Sequence, residues 1–286
     1  MKFITTLLLL FTLSLSAQIK GIVKDSLTGK PIPYVNIGVL NENIGSTTED
    51  DGTFFLNSTT NNKLIFSSLG YQKKVVMPKN ASLVLLNPSE IQLNEVVISK
   101  KIETKQVEIG KTSNTTYQAF ENGPRIDTKF FPYLPKYKKT KYIKKVSFFI
   151  DNKLETASFK IHFYNANENG FPQQELLNKD FIVTVKQGTK KYIIDATDYN
   201  LMLPKNGIFV GFEKLLITKN KQEKTITDYN TNTTRIQTTY YPLLLYNRVE
   251  KDFLYSYSGG KWNKQVVNTK ANETINEPAI TLILTN

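Results

Sequence analysis

Short apolar or alternating runs, separated every few positions by turn-forming residues, are the feature that most limits how this chain can fold. In the first hundred residues the runs lie at 18–24, 33–40, 44–48, 52–57, 63–68, 71–77, 82–86 and 93–99. Turns are indicated between them, as at 28–31 (TGKP) and 50–52 (DDG), because Gly tolerates positive φ and Pro fixes φ. No window of this part has a helical period, so the pattern predicts β-strands throughout.

The same kind of pattern returns after residue 145 and predicts a second set of strands. Its runs lie at 146–150, 157–164, 181–185, 191–195, 207–213, 215–218, 240–247, 253–258 and 279–284, with a short helical turn at 173–177. Residues 101–130 have little periodicity and are interpreted as a linker that becomes a lead-in strand near Phe130 and Phe131. The predicted fold class is therefore all-β, with one sandwich at 18–100 and a second, jelly-roll-like sandwich at 131–286.

The beginning of the chain predicts export. Residues 1–17 contain one early lysine, an apolar run and a small-residue end at Ser16 and Ala17, which is the order of a secretory signal peptide. No later run approaches the ~20 apolar residues that a transmembrane helix needs. The 286 residues include no cysteine and one histidine, which excludes disulfides, a thiol nucleophile and a multi-histidine metal cage. Stability must therefore come from burial and sheet hydrogen bonds.

Several ordered motifs in the first hundred residues resemble one known family. They are the segments 19–25 (IKGIVKD), 28–37 (TGKPIPYVNI), 45–54 (GSTTEDDGTF), 64–71 (LIFSSLGY) and 93–98 (LNEVVI). Together they resemble the carboxypeptidase regulatory-like domain. The resemblance implies a transthyretin-like Greek-key sandwich of about seven strands. It also implies a non-catalytic module of the kind found in peptidases, envelope proteins and TonB-linked receptors.

The C-terminal part carries a looser resemblance. The segments 159–164 (FKIHFY), 170–172 (GFP), 194–195 (ID) and 207–213 (GIFVGFE) are similar to a second domain that follows the regulatory-like module in exported proteins of uncharacterised role. That resemblance implies a β-sandwich and carries no chemistry with it.

The net charge of +12 is concentrated in residues 101–145, which hold 11 basic and 4 acidic residues, a net of +7. Within that segment, six lysines alternate with tyrosines, and we expect any electrostatic contact with an acidic envelope polymer to use them: Lys136, Lys138, Lys139, Lys141, Lys144 and Lys145. The alternative is a solvated edge strand whose lysines prevent aggregation. For an exported chain we do not expect nucleic acid as a partner.

Three aromatic residues, Tyr255, Tyr257 and Trp262, flank a Gly259-Gly260 turn. Aromatic rings on a sandwich can stack on the apolar face of a sugar, so this is the predicted carbohydrate-binding site. The alternative is that the rings supply core and hairpin packing.

Catalytic and metal-binding interpretations receive little support from the sequence. His162 alternates with Ile161 and Phe163, which predicts a polar-face residue, and no serine or carboxylate motif is arranged to serve it. The acidic turn at 49–51 lacks the spacing of a calcium loop, and the pair of Asp195 and Asp198, like the separate Glu213, has little specificity for sugar hydrolysis. We expect no catalytic residue, no cofactor and no metal.

These observations predict an exported cell-envelope protein that acts as a binding or assembly module. The expected partner is an envelope protein or a glycan, and the expected location is the periplasm, the outer membrane or the cell surface of a Gram-negative bacterium. The alternative is an accessory or hydrolytic enzyme of glycan or peptide breakdown, with its site in the C-terminal domain.

Overall fold

The computed structural model describes residues 18–89, 104–111, 117–120, 123–228, 230–250, 253–266 and 274–286. The predicted signal peptide at 1–17 and the predicted strand at 93–99 lie outside these residues. Strands make up the described architecture, with helix limited to single 3₁₀ turns, so the predicted all-β class is confirmed. Among the described residues, no helix has the length and apolar character needed to cross a membrane.

Residues 18–89 form a two-sheet sandwich. Its strands are β1 (Ile19–Asp25), β2 (Asn36–Val39), β3 (Gly45–Thr47), β4 (Thr53–Leu56), β5 (Leu64–Ser67), β6 (Lys74–Val76) and β7 (Leu83–Leu86). One sheet has the order β4-β1-β7, in which β1 is antiparallel to β4 and parallel to β7. The other has the order β3-β2-β5-β6. The seven strands predicted in this stretch are all present.

Strict alternation in strands such as β4 and β7 directs apolar side chains into the interior of this sandwich. In β4 and β7, buried Phe54, Leu56, Val84 and Leu86 alternate with exposed neighbours. Packing is close enough to require glycine at position 21, where an added Cβ would lie 2.1 Å from the Ala81 carbonyl oxygen. The alternation seen in the sequence is therefore what divides core from surface here.

The remaining described residues form a second, larger strand system. Its strands are β8 (Gln106–Ile109), β9 (Tyr117–Ala119), β10 (Ile126–Phe131), β11 (Tyr142–Ala166), β12 (Pro172–Glu175), β13 (Phe181–Asp195), β14 (Ile208–Lys214), β15 (Lys221–Asp228), β16 (Thr233–Tyr240), β17 (Leu243–Val249), β18 (Phe253–Ser258), β19 (Lys261–Val266), β20 (Ile275–Pro278) and β21 (Ile280–Thr285).

Twelve of these strands join one sheet, whose main path runs β19-β18-β10-β14-β11-β17-β20. Strands β12, β13 and β21 also pair with β11, which makes β11 the organising strand. Strands β15 and β16 form a separate two-stranded hairpin. Clustered phenylalanines fill the core, with the rings of Phe159 and Phe212 4.7 Å apart and that of Phe148 5.3 Å from Phe159.

The C-terminal strand predictions are partly wrong at the level of boundaries. The runs predicted at 146–150 and 157–164 belong to the single strand β11, and those at 181–185 and 191–195 belong to β13. The polar stretch between the runs stays in the ladder because a register shift between Asn152 and Thr156 lets the chain bend and pair again.

Two further predictions are wrong. The predicted strand at 215–218 leads instead into a 3₁₀ turn at Thr218–Asn220. The predicted helical turn at 173–177 coincides with β12, where pairing with β11 outweighs local propensity. In the segment interpreted as a linker, β8 pairs with β21, and β10 lies between β18 and β14.

Candidate functional site

The chain's one histidine lies at the centre of a partly buried ionic cluster, in which the side chains of His162, Glu175 and Glu213 are 13%, 16% and 5% exposed. His162 is on β11, on the face opposite the core residues Ile161 and Phe163, as the alternation predicts. Its Nδ1 lies 2.8 Å from Oε2 of Glu175 on β12, and its Nε2 lies 2.8 Å from Oε2 of Glu213 on β14. The ring also stacks on Tyr164 at a centroid distance of 5.6 Å. Both ring nitrogens are therefore engaged by carboxylates.

The two carboxylates change the ionisation of the histidine. Burial alone lowers the pKa of His162, but the charges and hydrogen bonds of Glu175 and Glu213 outweigh it and raise the pKa to about 10. Burial likewise raises the pKa of Glu213, but His162, Lys160 and Asn36 outweigh it and hold that pKa below its ordinary value. At neutral pH the imidazole is a cation between two anions, so it has no free lone pair to act as a general base.

The cluster continues into the N-terminal sandwich. The Asn36 side chain on β2 donates to Oε1 of Glu213. Lys160, whose side chain is 4% exposed, donates to the Tyr34 carbonyl oxygen at 2.8 Å and pairs with Asp180 at 3.1 Å. The buried charges of the large sheet therefore bind the first sandwich directly.

Further hydrogen bonds extend the same contact. The Leu216 amide donates to Oγ1 of Thr47 at 3.0 Å, and the Thr218 amide and hydroxyl both donate to Glu49 at 2.8 Å. The Asn41 amide donates to the Gly259 carbonyl oxygen at 3.1 Å. These hydrogen bonds join the first sandwich to the large strand system.

The predicted carbohydrate aromatics meet in one cluster. The Tyr255 ring is buried, 5.0 Å from Phe171 and 5.5 Å from Phe209. Tyr257 and Trp262 are cross-strand partners with rings 5.4 Å apart, and both are half-buried. Their edge-to-face contacts agree with the packing interpretation of these rings. Sugar stacking at Tyr257 and Trp262 stays a prediction.

The predicted electrostatic lysines do not share one element. Lys136 lies in the 3₁₀ turn at Pro135–Tyr137, and Lys144 and Lys145 lie on β11. The edge-strand interpretation is wrong for the β11 part, because that part pairs with both β13 and β21. The exposed members are Lys136, Lys138, Lys139 and Lys141, while Lys144 and Lys145 are half-buried. Their contact with an acidic polymer stays a prediction.

The acidic residues singled out in the sequence have separate local partners. In the turn at 49–51, Asp51 accepts from the Thr53 amide, Asp50 from the Tyr34 hydroxyl, and Glu49 from Thr218. Asp195 accepts from the amide and hydroxyl of Thr197, which lowers the pKa of Asp195. Among the described residues, no group of three or more His, Cys, Asp or Glu side chains is placed to hold a metal ion.

Glu175 is the residue of this cluster that sequence reasoning missed. It lies in the stretch predicted to be a helical turn, so no parity argument could place it beside His162. In the sequence, Glu213 is an isolated acid. Its register with Lys160 in the β11–β14 ladder brings it within reach of His162. Glu213 directly follows an apolar run at 208–212 on the same strand. This position is the one signal in the sequence that indicates a buried partner.

Comparison with known proteins agrees with the geometry of the N-terminal part. Residues 19–98 match the family described as CarboxypepD_reg-like domain. The chain is 35% identical over 81 residues to the TonB-dependent receptor SusC of Bacteroides thetaiotaomicron, which is 28% of this chain and 8% of the receptor. The chain therefore aligns with a small fraction of that relative's length.

Similarity to solved structures is weak. The clostridial cysteine protease Cwp84 after propeptide cleavage matches 89% of this chain and 66% of its own, at 11% identity and a TM-score of 0.37. The cysteine protease and lectin-like domains of Cwp84 from Clostridium difficile match 89% and 59%, at 10% identity and a TM-score of 0.38. The sequence match, its ordered motifs and the seven-strand sandwich identify the N-terminal part: residues 19–98 of this chain are a CarboxypepD_reg-like domain.

Proposed function

We propose that this chain is an exported envelope protein that performs no catalysis and docks a protein partner on the outer face of its first sheet. The observation that carries the proposal is an exposed apolar surface on the sheet β4-β1-β7. Phe55 is 49% exposed, Leu83 53% and Leu85 39%. Contiguous exposed apolar surface on a stable sheet is typical of protein interaction sites.

The strand register gathers these side chains on one face. Phe55 on β4 pairs with Lys20 on β1, and Leu83 on β7 pairs with Ile22 on β1. Because directly paired residues point to the same side of a sheet, and positions two apart do as well, the four side chains share the outer face. We call this surface the docking face; it consists of Lys20, Ile22, Lys24, Phe55, Leu83 and Leu85.

The charges on the docking face define the partner's chemistry. Lys20 and Lys24 alternate with Ile22 along β1 and so border the apolar side chains. Asp25, at the end of β1, is buried on the opposite face and is held by the Leu27 and Thr28 amides. The face is therefore apolar and cationic, and its occupant is a protein surface with apolar residues bordered by carboxylates.

The absence of catalysis is part of the proposal. Its support is that His162 is held as a cation between two carboxylates, so it does not provide a general base at neutral pH. The envelope location rests on the predicted signal peptide and on the resemblance of residues 19–98 to part of a TonB-dependent receptor.

A capture experiment tests the docking face. The purified full chain is immobilised and exposed to detergent-solubilised envelope proteins, in parallel with a Phe55→Ser/Leu83→Ser double variant. We expect the double variant to capture about tenfold less protein than the wild-type chain, because central apolar contacts dominate interface energies. Capture by the wild-type chain should also weaken as salt rises, because Lys20 and Lys24 are exposed to screening.

A matched control separates a specific face from general stickiness. Ile236→Ser removes an apolar side chain that is 68% exposed on the separate hairpin strand β16. This variant should capture as much protein as the wild-type chain. Equal capture by the double variant and the control would contradict the docking face.

A further inference from the structure

A cavity of about 130 Å³ lies between two groups of strands in the large sheet, apart from the docking face and the His162 cluster. Strands β10, β18 and β19 form one side, where Asp127 pairs with Ser256 and Leu254 pairs with Gln265. Strands β17 and β20 form the other side, where Tyr246 pairs with Pro278. All six residues line the cavity, so the strand register places their side chains around one space.

Part of the cavity lining is a hydrogen-bonded polar set, in which the Arg125 side chain is 31% exposed and that of Asp127 10%. An Arg125 guanidinium nitrogen lies 2.6 Å from Oδ1 of Asp127, and the Tyr246 hydroxyl donates to Oδ2 of the same carboxylate at 2.8 Å. The Nε of Arg125 is also buried, and no hydrogen-bond acceptor reaches it within the described part of the chain. A buried donor without an acceptor is costly, so this atom points to a missing oxygen partner.

The rim carries groups that both donate and accept hydrogen bonds. Gln265 and Asn276 line the cavity, and both residues are exposed to solvent, so their amides are accessible from outside. Phe120 and Tyr246 contribute aromatic rings that meet edge to face at 5.5 Å. The lining thus combines planar amide, guanidinium and carboxylate groups with aromatic surface.

The charge balance selects the class of ligand. Arg125 and Asp127 neutralise each other, so an anion would be repelled by Asp127 and a cation by Arg125. A neutral polyol instead offers hydroxyls that donate to the carboxylate and accept from Nε and the amides. The volume is below the range of drug-sized pockets and suits one small unit. We infer that this cavity binds a single neutral sugar residue, presented free or at the end of a glycan.

Saturation-transfer NMR on the purified full chain tests the inference with four probes: D-glucose, D-galactose, D-mannose and N-acetyl-D-glucosamine. We expect at least one of them to receive saturation. A Gln265→Ala/Asn276→Ala double variant should bind that sugar about tenfold more weakly, since it loses hydrogen bonds to the hydroxyls. Arg125→Lys keeps the charge beside Asp127 but removes Nε, and it should weaken binding by a similar factor.

A control variant tests whether the sugar binds in this cavity. Gln174→Ala removes an exposed amide on β12, away from the cavity, and should leave binding unchanged. Saturation of none of the four sugars, equal affinity in the rim double variant and the Gln174 control, or displacement of the sugar by acetate would overturn the inference. Partner capture by the docking face is measured separately, so failure of one site leaves the other standing.

Discussion

The two parts of the molecule bury different kinds of side chain. The first sandwich encloses apolar residues such as Val23, Phe54 and Phe66. The large sheet also encloses charges, among them Lys129 and Glu277, which pair at 3.0 Å with side chains only 3% and 2% exposed. Burying an ion pair costs hydration, so such a pair adds little net stability but is expensive to break. Apolar burial therefore supports the first sandwich, whose buried Asp25 is held by backbone amides, whereas the large sheet also depends on pairs of opposite charges.

The buried charges lie where separate elements of the molecule meet. Lys160 and Glu213 contact the first sandwich, while Lys129 and Glu277 join β10 to β20 inside the large sheet. In both places the charged side chains bridge elements that are far apart in sequence. We expect these charges to favour the pairing of those particular elements, because any other pairing would leave a charge buried without its counter-charge.

The largest effect is expected from breaking the Lys129–Glu277 pair. Glu277→Ala removes the carboxylate and leaves the Lys129 ammonium buried without that counter-charge. The free energy of unfolding of the large sheet should fall by about 4 kcal/mol. Denaturation followed by the fluorescence of Trp262, the chain's one tryptophan, measures this. A loss below about 1 kcal/mol would mean that the pair is not buried as described.

The apolar counterpart is Leu56→Ala in the first sandwich. Leu56 is 2% exposed, so truncation leaves a cavity and should cost about 3 kcal/mol. Hydrogen exchange of the β1 amides should accelerate accordingly. Exchange in β11 should change far less, which is the sign that the two cores are separate. Equal acceleration in both strands would contradict that separation.

A third prediction concerns the pH dependence of stability. His162 has a folded pKa raised to about 10 from its ordinary 6.5, so its stabilising contribution is complete below about pH 6.5 and is lost as pH rises through about 10. Relative to His162→Gln, the wild-type chain should lose at least the ~1.4 kcal/mol that one unit of pKa shift represents. Denaturation curves at pH values between about 6 and about 10 measure the difference.

The acid side of the same profile has the opposite sign. Glu213 has a lowered folded pKa, so its contribution is present above its ordinary pKa and is lost as pH falls through the lower folded value.

A wild-type stability that parallels that of His162→Gln across the alkaline range would show that the imidazole is not held as a cation.

Much of the fold was predictable because strand alternation and turn residues are local signals. In the first sandwich, the runs around Phe54 and Val84 give the correct strands because one face of each is buried and the other is exposed. The same reasoning placed Ile161 and Phe163 in the core and His162 opposite them. It failed at β12 and within β11, where pairing overrode local pattern.

The candidate sites were much less predictable. The partners of His162 come from β12 and β14, and the cavity is lined by five different strands together with Phe120 and Arg125 from outside them. No spacing in the sequence relates Arg125 to Gln265 or Asn276. In the sequence, Phe55 and Leu83 are ordinary strand residues. Only the sheet order and their exposure show that nothing among the described residues covers their face.

By itself, the sequence determined the all-β class, the seven strands of the CarboxypepD_reg-like domain and the side of β11 that carries His162. These follow from local periodicity and turn chemistry, which act over a few residues. Tertiary structure alone decided that His162 lies between two carboxylates, that Lys129 meets Glu277, and that the Arg125 cavity exists. Those outcomes depend on the register between distant strands, because one residue of slip would turn every side chain to the opposite face.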